Sequence, residues 1–318
     1  KWNKNAAQLK WPKKEDATNL KYPTWTILFD HLGRGLDEPI KSNKWCVENG
    51  INTGGDYLKC WIASIVQYPK QPLPYLFFYG KENTGKSTFH EAVDMIFTKG
   101  VERIASALQS TSNFNGEIEG AVLGIIEELS LSSKRDGPVI QKIKDLVTSR
   151  RVSLHRKGET PYMIDNTLHI AQFSNDINAA PVFTGDTRIV VIPVFPLTNE
   201  IPKMEMERRL MQEAQDFTTE LLSIEIPEAN GRLRIPVIVT DAKETLADSN
   251  VSDIERFIMS DIYKRDGACV SVAAVWESFC GQYDVSHLTL NMFNKIISQQ
   301  MGVLKGKYGI AKNMHWAN

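Results

Sequence analysis

Apolar positions along the chain change their period several times, and each change marks a different kind of element. From Trp25 to Tyr68 they recur at helical spacing. In Tyr57-Leu58-Lys59-Cys60-Trp61-Ile62-Ala63-Ser64-Ile65-Val66, the side chains of Leu58, Trp61, Ile62 and Ile65 fall on one face. Pro69, Pro72 and Pro74 end that helix. Short apolar runs follow at residues 76–79, 122–126, 168–173 and 188–194. Runs without polar alternation read as strands covered on both faces, and helical segments between them imply a parallel sheet. After the first run, Phe89, Ala92, Val93, Ile96 and Phe97 repeat at i, i+3, i+4, i+7, i+8, the stripe of an amphipathic helix. A long helix is expected over residues 204–222, after Pro202. Residues 223–250, with Pro227, Gly231 and Pro236, read as a connector.

The remaining residues, 251–318, predict three helices. Ser252 with Glu255 forms a capping box before Ile254, Phe257, Ile258 and Ile262. Ser271 caps a helix through Val272, Val275, Trp276 and Phe279, and Thr289 caps another through Leu290, Phe293, Ile296 and Ile297. A hairpin-like stretch over 304–310 follows, and three helices with a small hairpin are the plan of a winged helix-turn-helix. The expected organisation is an arm and helical region over 1–72, an α/β core over 73–222, the connector over 223–250, and a winged-helix-like domain over 251–318. No internal repeat appears.

Composition narrows the field. The chain has 318 residues, 42% apolar and 24% charged, with a formal net charge of −1. That supplies buried cores and excludes a wholly basic nucleic-acid coat. No apolar run approaches the roughly 18 residues of a membrane span, so a cytoplasmic protein without a membrane partner is expected. The first 21 residues hold six lysines against Glu15 and Asp16, and read as an irregular arm. The chain opens on Lys1, as a fragment would. Cys46, Cys60, Cys269 and Cys280 form no C-x-x-C pair and no zinc spacing, so reduced thiols are expected.

The strongest chemical signal is Gly80-Lys81-Glu82-Asn83-Thr84-Gly85-Lys86-Ser87, a full G-x-x-x-x-G-K-S between an apolar strand and an amphipathic helix. Glycines let backbone N–H groups turn inward on phosphates, and the helix start offers its positive end. Lys86 would reach the β- and γ-phosphates and Ser87 would ligate Mg²⁺; Thr88 completes the expected nucleotide contacts. A second signal is the strand Leu123-Gly124-Ile125-Ile126 ending in Glu127-Glu128. A triphosphatase needs a carboxylate there for its metal and benefits from another to orient water, so Glu127 is assigned to Mg²⁺ and Glu128 to the water. Acids after strands also serve as plain helix N-terminal residues. Asn175, at the tip of the run 168–173, would touch the γ-phosphate or the water, unless it only forms a turn.

Lys142, Lys144, Arg150, Arg151, Arg156 and Lys157 make residues 142–157 basic against the single acid Asp145. Its second half reads as a strand running into a turn, and a basic hairpin tip attracts a phosphate backbone. Arg188 opens the fourth run, either held by Asp186 or projecting into a neighbouring subunit's nucleotide.

In this order the motifs resemble those of superfamily 3 helicases, more particularly the helicase part of phage and plasmid primase–helicase replication proteins. The likeness rests on residues 59–87, Ile125-Ile126-Glu127-Glu128, Phe173-Ser174-Asn175, residues 186–193 and the closing winged-helix pattern. It implies an AAA+-like ATPase core using ATP and Mg²⁺, a homo-hexameric ring, and 3′ to 5′ movement on single-stranded DNA at a replication fork. By position, Lys86 and Ser87 become Walker A, Glu127 and Glu128 Walker B, Asn175 the motif C sensor, and Arg188 the trans-acting finger, with Arg150 and Arg151 as alternatives. Arg151, His155, Arg156 and Lys157 become the DNA-gripping hairpin, and a primase or polymerase domain is expected upstream in the same polypeptide. A DNA-binding ATP switch or loader without unwinding is the rival reading; a nucleotide kinase is disfavoured by the double acid and Asn175.

Overall fold

In the computed structural model the described residues are 7–109, 114–127, 129, 137–180, 182, 185–198, 200–229, 231–249, 253–264, 271–285, 288–300, 304–305, 311–312 and 316–317. The chain divides into two units, Lys1–Ala247 and Asp248–Asn318.

The first unit begins with strand β1 (Gln8–Leu9) and four helices, α1 (Pro23–Gly33), α2 (Asp37–Ser42), α3 (Lys44–Glu48) and α4 (Gly54–Gln67). Thr53 and Asp56 close a capping box on α4, which fixes where that helix starts. Strand β2 (Tyr75–Tyr79), helix α5 (Thr88–Ile96), and strands β3 (Phe97–Lys99) and β4 (Val101–Arg103) come next. Then follow α6 (Ala105–Gln109), β5 (Leu123–Glu127), α7 (Gly137–Thr148), β6 (Arg151–Leu154), β7 (Tyr162–Asp165), β8 (His169–Ser174) and β9 (Ile189–Pro193). Helices α8 (Lys203–Leu221) and α9 (Asp241–Ser249) complete the series.

Five strands form one parallel sheet in the order β4-β5-β8-β2-β9. Because all run the same way, Tyr79, Glu127, Ser174 and Pro193 arrive together at the carboxyl edge, where α/β sheets bind their ligands. The four apolar runs correspond to β2, β5, β8 and β9. The fifth strand, β4, was not expected, because Val101-Glu102-Arg103 is short and only Val101 is apolar. Phe97 opens β3 instead of ending the preceding helix, since the chain turns extended at that residue.

Each face of the sheet has its own core. On one side Leu76, Phe78, Phe89, Ile96 and Phe173 pack with Trp25, Trp61 and Phe217 of the helical layer. The Trp25 and Phe217 rings stack at 4.2 Å. On the other, Phe77, Ile126, Ile170 and Val191 meet Ile143 and Leu154.

The amino-terminal arm is anchored along the unit, not free of it. Gln8 and Leu9 pair with Lys99 and Phe97, Trp11 Nε1 donates to the Met95 carbonyl at 3.0 Å, and the Lys14 amide donates to Thr219 Oγ1 at 3.0 Å. The stretch read as a connector also folds in. Ile226, Leu233, Ile235, Ile238 and Leu246 are buried in the two cores, because its Pro and Gly residues only bend a chain whose apolar side chains still seek cover.

The second unit contains α10 (Asp253–Asp261), β10 (Tyr263–Lys264), α11 (Val272–Gln282), α12 (Leu290–Gln300), β11 (Leu304–Lys305), β12 (Ala311–Lys312) and β13 (Trp316–Ala317). Phe257, Phe279 and Phe293 are fully buried at its centre. Ser271 Oγ accepts from the Ala274 amide and Thr289 Oγ1 from the Met292 amide, so both expected caps form. Ser252 lies outside the described residues, so its capping box does too. β11 pairs antiparallel with β12, and β10 with β13. Among the described residues no helix is long and apolar enough to cross a membrane.

Candidate functional site

The site is built on the loop from Gly80 to Ser87, which joins β2 to α5. Two positions need glycine. A Cβ at Gly80 would lie 2.3 Å from the Val194 carbonyl oxygen, and Gly85 sits at φ +79°. Asn83 also takes a positive φ, 58°, in the left-handed region that asparagine tolerates best after glycine. Thr84 Oγ1 donates to the Lys81 carbonyl at 3.0 Å and closes the turn. Among the described residues, nothing accepts from the backbone N–H groups of Gly85, Lys86 and Ser87, which lead into α5. A row of unspent donors at a helix start is a cradle for an anion.

Lys86 is 8% exposed and turns back across the loop. Its Nζ donates to the carbonyls of Gly80 at 2.8 Å and Lys81 at 2.6 Å, and to Asn175 Oδ1 at 3.0 Å. Burial pushes its ammonium below the ordinary lysine value, and the Glu82 carboxylate opposes that. Ser87 Oγ donates to Glu127 Oε1 at 3.3 Å. The same carboxylate oxygen lies 3.1 Å from His90 Nε2, and Glu127 Oε2 lies 3.1 Å from Arg103 Nη2.

Lys86, Ser87, Glu127 and Asn175, separated by as many as 89 positions, therefore meet at the carboxyl edge. Lys81, Glu82 and Asn83 are exposed at the loop's outer turn, and Thr88 begins α5 with its amide donating to the Gly85 carbonyl. Glu128 lies outside the described residues. Ser87 and Glu127 offer hard oxygen donors side by side, the kind Mg²⁺ takes. No group of three His, Cys, Asp or Glu among the described residues could hold a metal, so phosphate oxygens and water would have to complete a coordination shell there.

Sequence reasoning assigned no role to three residues at the site. His90 follows Ser87 by three positions, on the same face of α5, so helical spacing alone would have found it. His31 Nε2 donates to the Thr84 carbonyl at 2.9 Å, across 53 positions. Arg103 reaches Glu127 from the short edge strand β4. Neither pairing leaves a local trace.

Arg188 stands at the other edge of the sheet. It precedes β9, and its carbonyl accepts from the Tyr75 amide at 2.8 Å, at the start of β2. Its own loop is a full strand length away. Asp186 does not hold the guanidinium: Asp186 Oδ1 accepts from the backbone amides of Arg188 and Ile189, both at 2.9 Å.

The basic segment folds as expected into a hairpin, β6 with β7, Arg151 facing Asp165 and Leu154 facing Tyr162. Its charges are not equivalent. Arg156 is ion-paired to Glu119, and His155 packs against the Phe114 ring with centroids 4.8 Å apart. Arg151 and Lys157 are exposed. Of the four residues expected to contact DNA, Arg156 thus has an ion-pair partner within the chain, and Arg151 Nη2 donates to the Met163 carbonyl at 3.4 Å.

A five-stranded parallel sheet with polar groups gathered at its carboxyl edge is consistent with an α/β fold of the nucleoside-triphosphatase-like kind. Comparison with known proteins agrees on the fold. The NrS-1 C-terminal region, in its apo structure, superposes with a TM-score of 0.60 at 18% identity over 95% of this chain and 66% of that chain. Its A form gives 0.61 at 16% identity over 98% and 78%. The chain thus spans about two thirds of the first of these, and the likeness is one of fold. A structure of the JCV helicase aligns at a TM-score of only 0.35, too low to bear on the fold. A family model described as "Family of unknown function (DUF5906)" matches residues 78–188, which include the loop, Glu127 and Asn175. No curated protein sequence matches the chain.

Proposed function

We propose that this chain is the motor of an ATP-dependent DNA helicase in replication, working as a homo-hexameric ring. The observation that carries the reading is the meeting of Lys86, Ser87, Glu127 and Asn175 around a loop of unspent amides. ATP binds in the loop 80–88 with its phosphates on the free amides of Gly85, Lys86 and Ser87. Lys86 leaves its carbonyl partners for the β- and γ-phosphates, which better match a cation than neutral carbonyls do. Mg²⁺ at Ser87 and Glu127 would neutralise charge on the transferred phosphoryl group. Glu128 orients the attacking water, and Asn175, freed from Lys86, senses the γ-phosphate.

Arg188 cannot reach the loop of its own sheet, a strand length away. It therefore serves a neighbouring copy's nucleotide as a trans-acting finger, which requires a ring or filament of like subunits. The β6–β7 hairpin grips one DNA strand in the pore through Arg151 and Lys157, with His155 behind them. Movement 3′ to 5′, an upstream primase or polymerase domain, and a winged-helix role for the second unit are carried over from the superfamily 3 resemblance. Loss of the γ-phosphate releases the Asn175 and Arg188 contacts and moves the hairpin.

The test is ATPase rate with and without single-stranded DNA, together with displacement of a duplex bearing a 3′ single-stranded tail. Stimulated hydrolysis with displacement is the expected result. Stimulation without displacement would replace the motor by an ATP-driven DNA switch or loader. No response to DNA would remove the nucleic-acid reading altogether.

A further inference from the structure

We propose that Lys243 is a positioning residue for Arg188, acting through Asp186 to fix the backbone from which that arginine is presented to a neighbouring subunit. The inference rests on the trans-acting role of Arg188 proposed above and adds the device that aims it.

Lys243 is a lysine almost without solvent: its side chain is 6% exposed and that of Asp186 4%. Its Nζ donates to the Asp186 carbonyl at 2.8 Å and the Ile189 carbonyl at 2.7 Å, and lies 3.4 Å from Asp186 Oδ1. That same Oδ1 takes the amides of Arg188 and Ile189. One ammonium and one carboxylate thus clamp residues 186–189 through their main chain on both sides. The clamp has its own anchor. Thr240 Oγ1 donates to the Val191 carbonyl at 3.0 Å and accepts the Lys243 amide at 3.1 Å, so the first turn of α9 is stapled to β9.

None of these bonds uses the guanidinium of Arg188. Its Nε is buried and, among the described residues, has no hydrogen-bond partner. A residue whose amide, carbonyl and next neighbour are all tied, but whose charged head is left unspent, is a rigid mount for a group meant for another molecule. Stability alone does not explain the clamp. A buried ion pair seldom stabilises a fold more than apolar side chains of the same size, whereas it does specify one geometry. Burial also pushes the Lys243 ammonium down, with Asp186 opposing.

A finger and the loop it serves lie in different subunits, so mixing experiments identify residues of each class. Lys86→Ala, Arg188→Ala and Lys243→Met should each lower ATPase at least about tenfold alone. Lys243→Met should keep ATP affinity within about twofold, because its own loop is untouched. Mixed with Lys86→Ala, both Arg188→Ala and Lys243→Met should recover to about a quarter of the wild-type rate, since that share of random interfaces joins an intact loop to an intact finger. Lys243→Met mixed with Arg188→Ala should stay inactive. A general folding defect does not sort in this way.

Should Lys243→Met fail to fold with Asp186 left unpaired, the Lys243→Met/Asp186→Asn double variant, which buries no lone charge, takes its place. Recovery by Arg188→Ala but not by either Lys243 variant would overturn the positioning role and leave the finger standing. Failure of Arg188→Ala itself to be rescued would overturn the finger, and the inference with it.

Discussion

The two edges of the central sheet use their polar groups differently. At the carboxyl edge, Lys86 rests on carbonyls and an amide oxygen, Ser87 on Glu127, and the amides of Gly85, Lys86 and Ser87, among the described residues, on nothing. At the amino edge the main chain is tied, although the Arg188 Nε has no hydrogen-bond partner among the described residues. His169 has ring nitrogens 3.0 Å from the carbonyls of Val122 and Gln71, and Lys243 binds two carbonyls and a carboxylate. Main-chain carbonyls hold Lys86 as well as Lys243 and His169, and all three are buried, so neither partner type nor burial separates the two edges. What separates them is the row of amides at Gly85, Lys86 and Ser87 that, among the described residues, has no acceptor: the carboxyl edge is the candidate site, and the amino edge its frame.

The sharpest way to break this contrast is Lys86→Ala. Loss of the cation should reduce ATP turnover by on the order of 10²–10³-fold, measured as phosphate release, while thermal stability changes little. Wild-type turnover in that variant would dissolve the carboxyl-edge site. Asn175→Ala comes next: removing one hydrogen bond to a charged group should cost roughly 10–100-fold in turnover with ATP binding retained, read by single-turnover kinetics. Equal loss of binding would make Asn175 part of the frame.

Arg151→Ala with Lys157→Ala should leave basal hydrolysis unchanged and abolish its stimulation by single-stranded DNA, with the salt slope of DNA binding flatter by about 1 to 2. Arg156→Ala, already paired to Glu119, should change DNA binding far less.

The smallest effect belongs to the amino edge. Burial pushes the His169 imidazole below its ordinary value, and the two carbonyls oppose it. The unfolded chain then binds the extra proton more readily, so this contribution is present above about pH 6.5 and is lost as the pH falls below it. Thermal melts between pH 7.5 and 5 should show that decline, and His169→Gln should flatten it without altering turnover. A change in turnover would move His169 from frame to site.

How much of this was visible beforehand follows the same division. The loop over residues 80–87 was legible as a strand-to-helix turn because its demands are local: glycines at fixed offsets between an apolar strand and an amphipathic helix. Strands β2, β5, β8 and β9 were legible because unbroken apolar runs have few other uses. β4 was not, because a three-residue strand with two charges owes its place to Leu123, Gly124 and Ile125 beside it. The burial of Ile226, Leu233, Ile235, Ile238 and Leu246, within the stretch 223–250 read as a connector, was not legible for a related reason. Pro227, Gly231 and Pro236 describe local bends, while Ile235 and Leu246 are placed by a sheet that lies far away in sequence. His31, Arg103 and Lys243 were invisible as functional groups, each meeting its partner across 24 to 57 positions.

The strand order carries a consequence for how the molecule comes into being. β2 is flanked by β8 and β9, with Leu76 beside Ala171 and Tyr75 beside Ile189. During synthesis Tyr75-Leu76-Phe77-Phe78-Tyr79 leaves the ribosome with neither neighbour yet made. At cellular elongation rates the second arrives on the order of ten seconds later. Until then this apolar central strand has two open edges and rests on what precedes it, above all α4, whose Trp61 Nε1 donates to the Pro74 carbonyl at 2.8 Å. The helical layer is thus the nursery of the strand that later leads into the loop over residues 80–87.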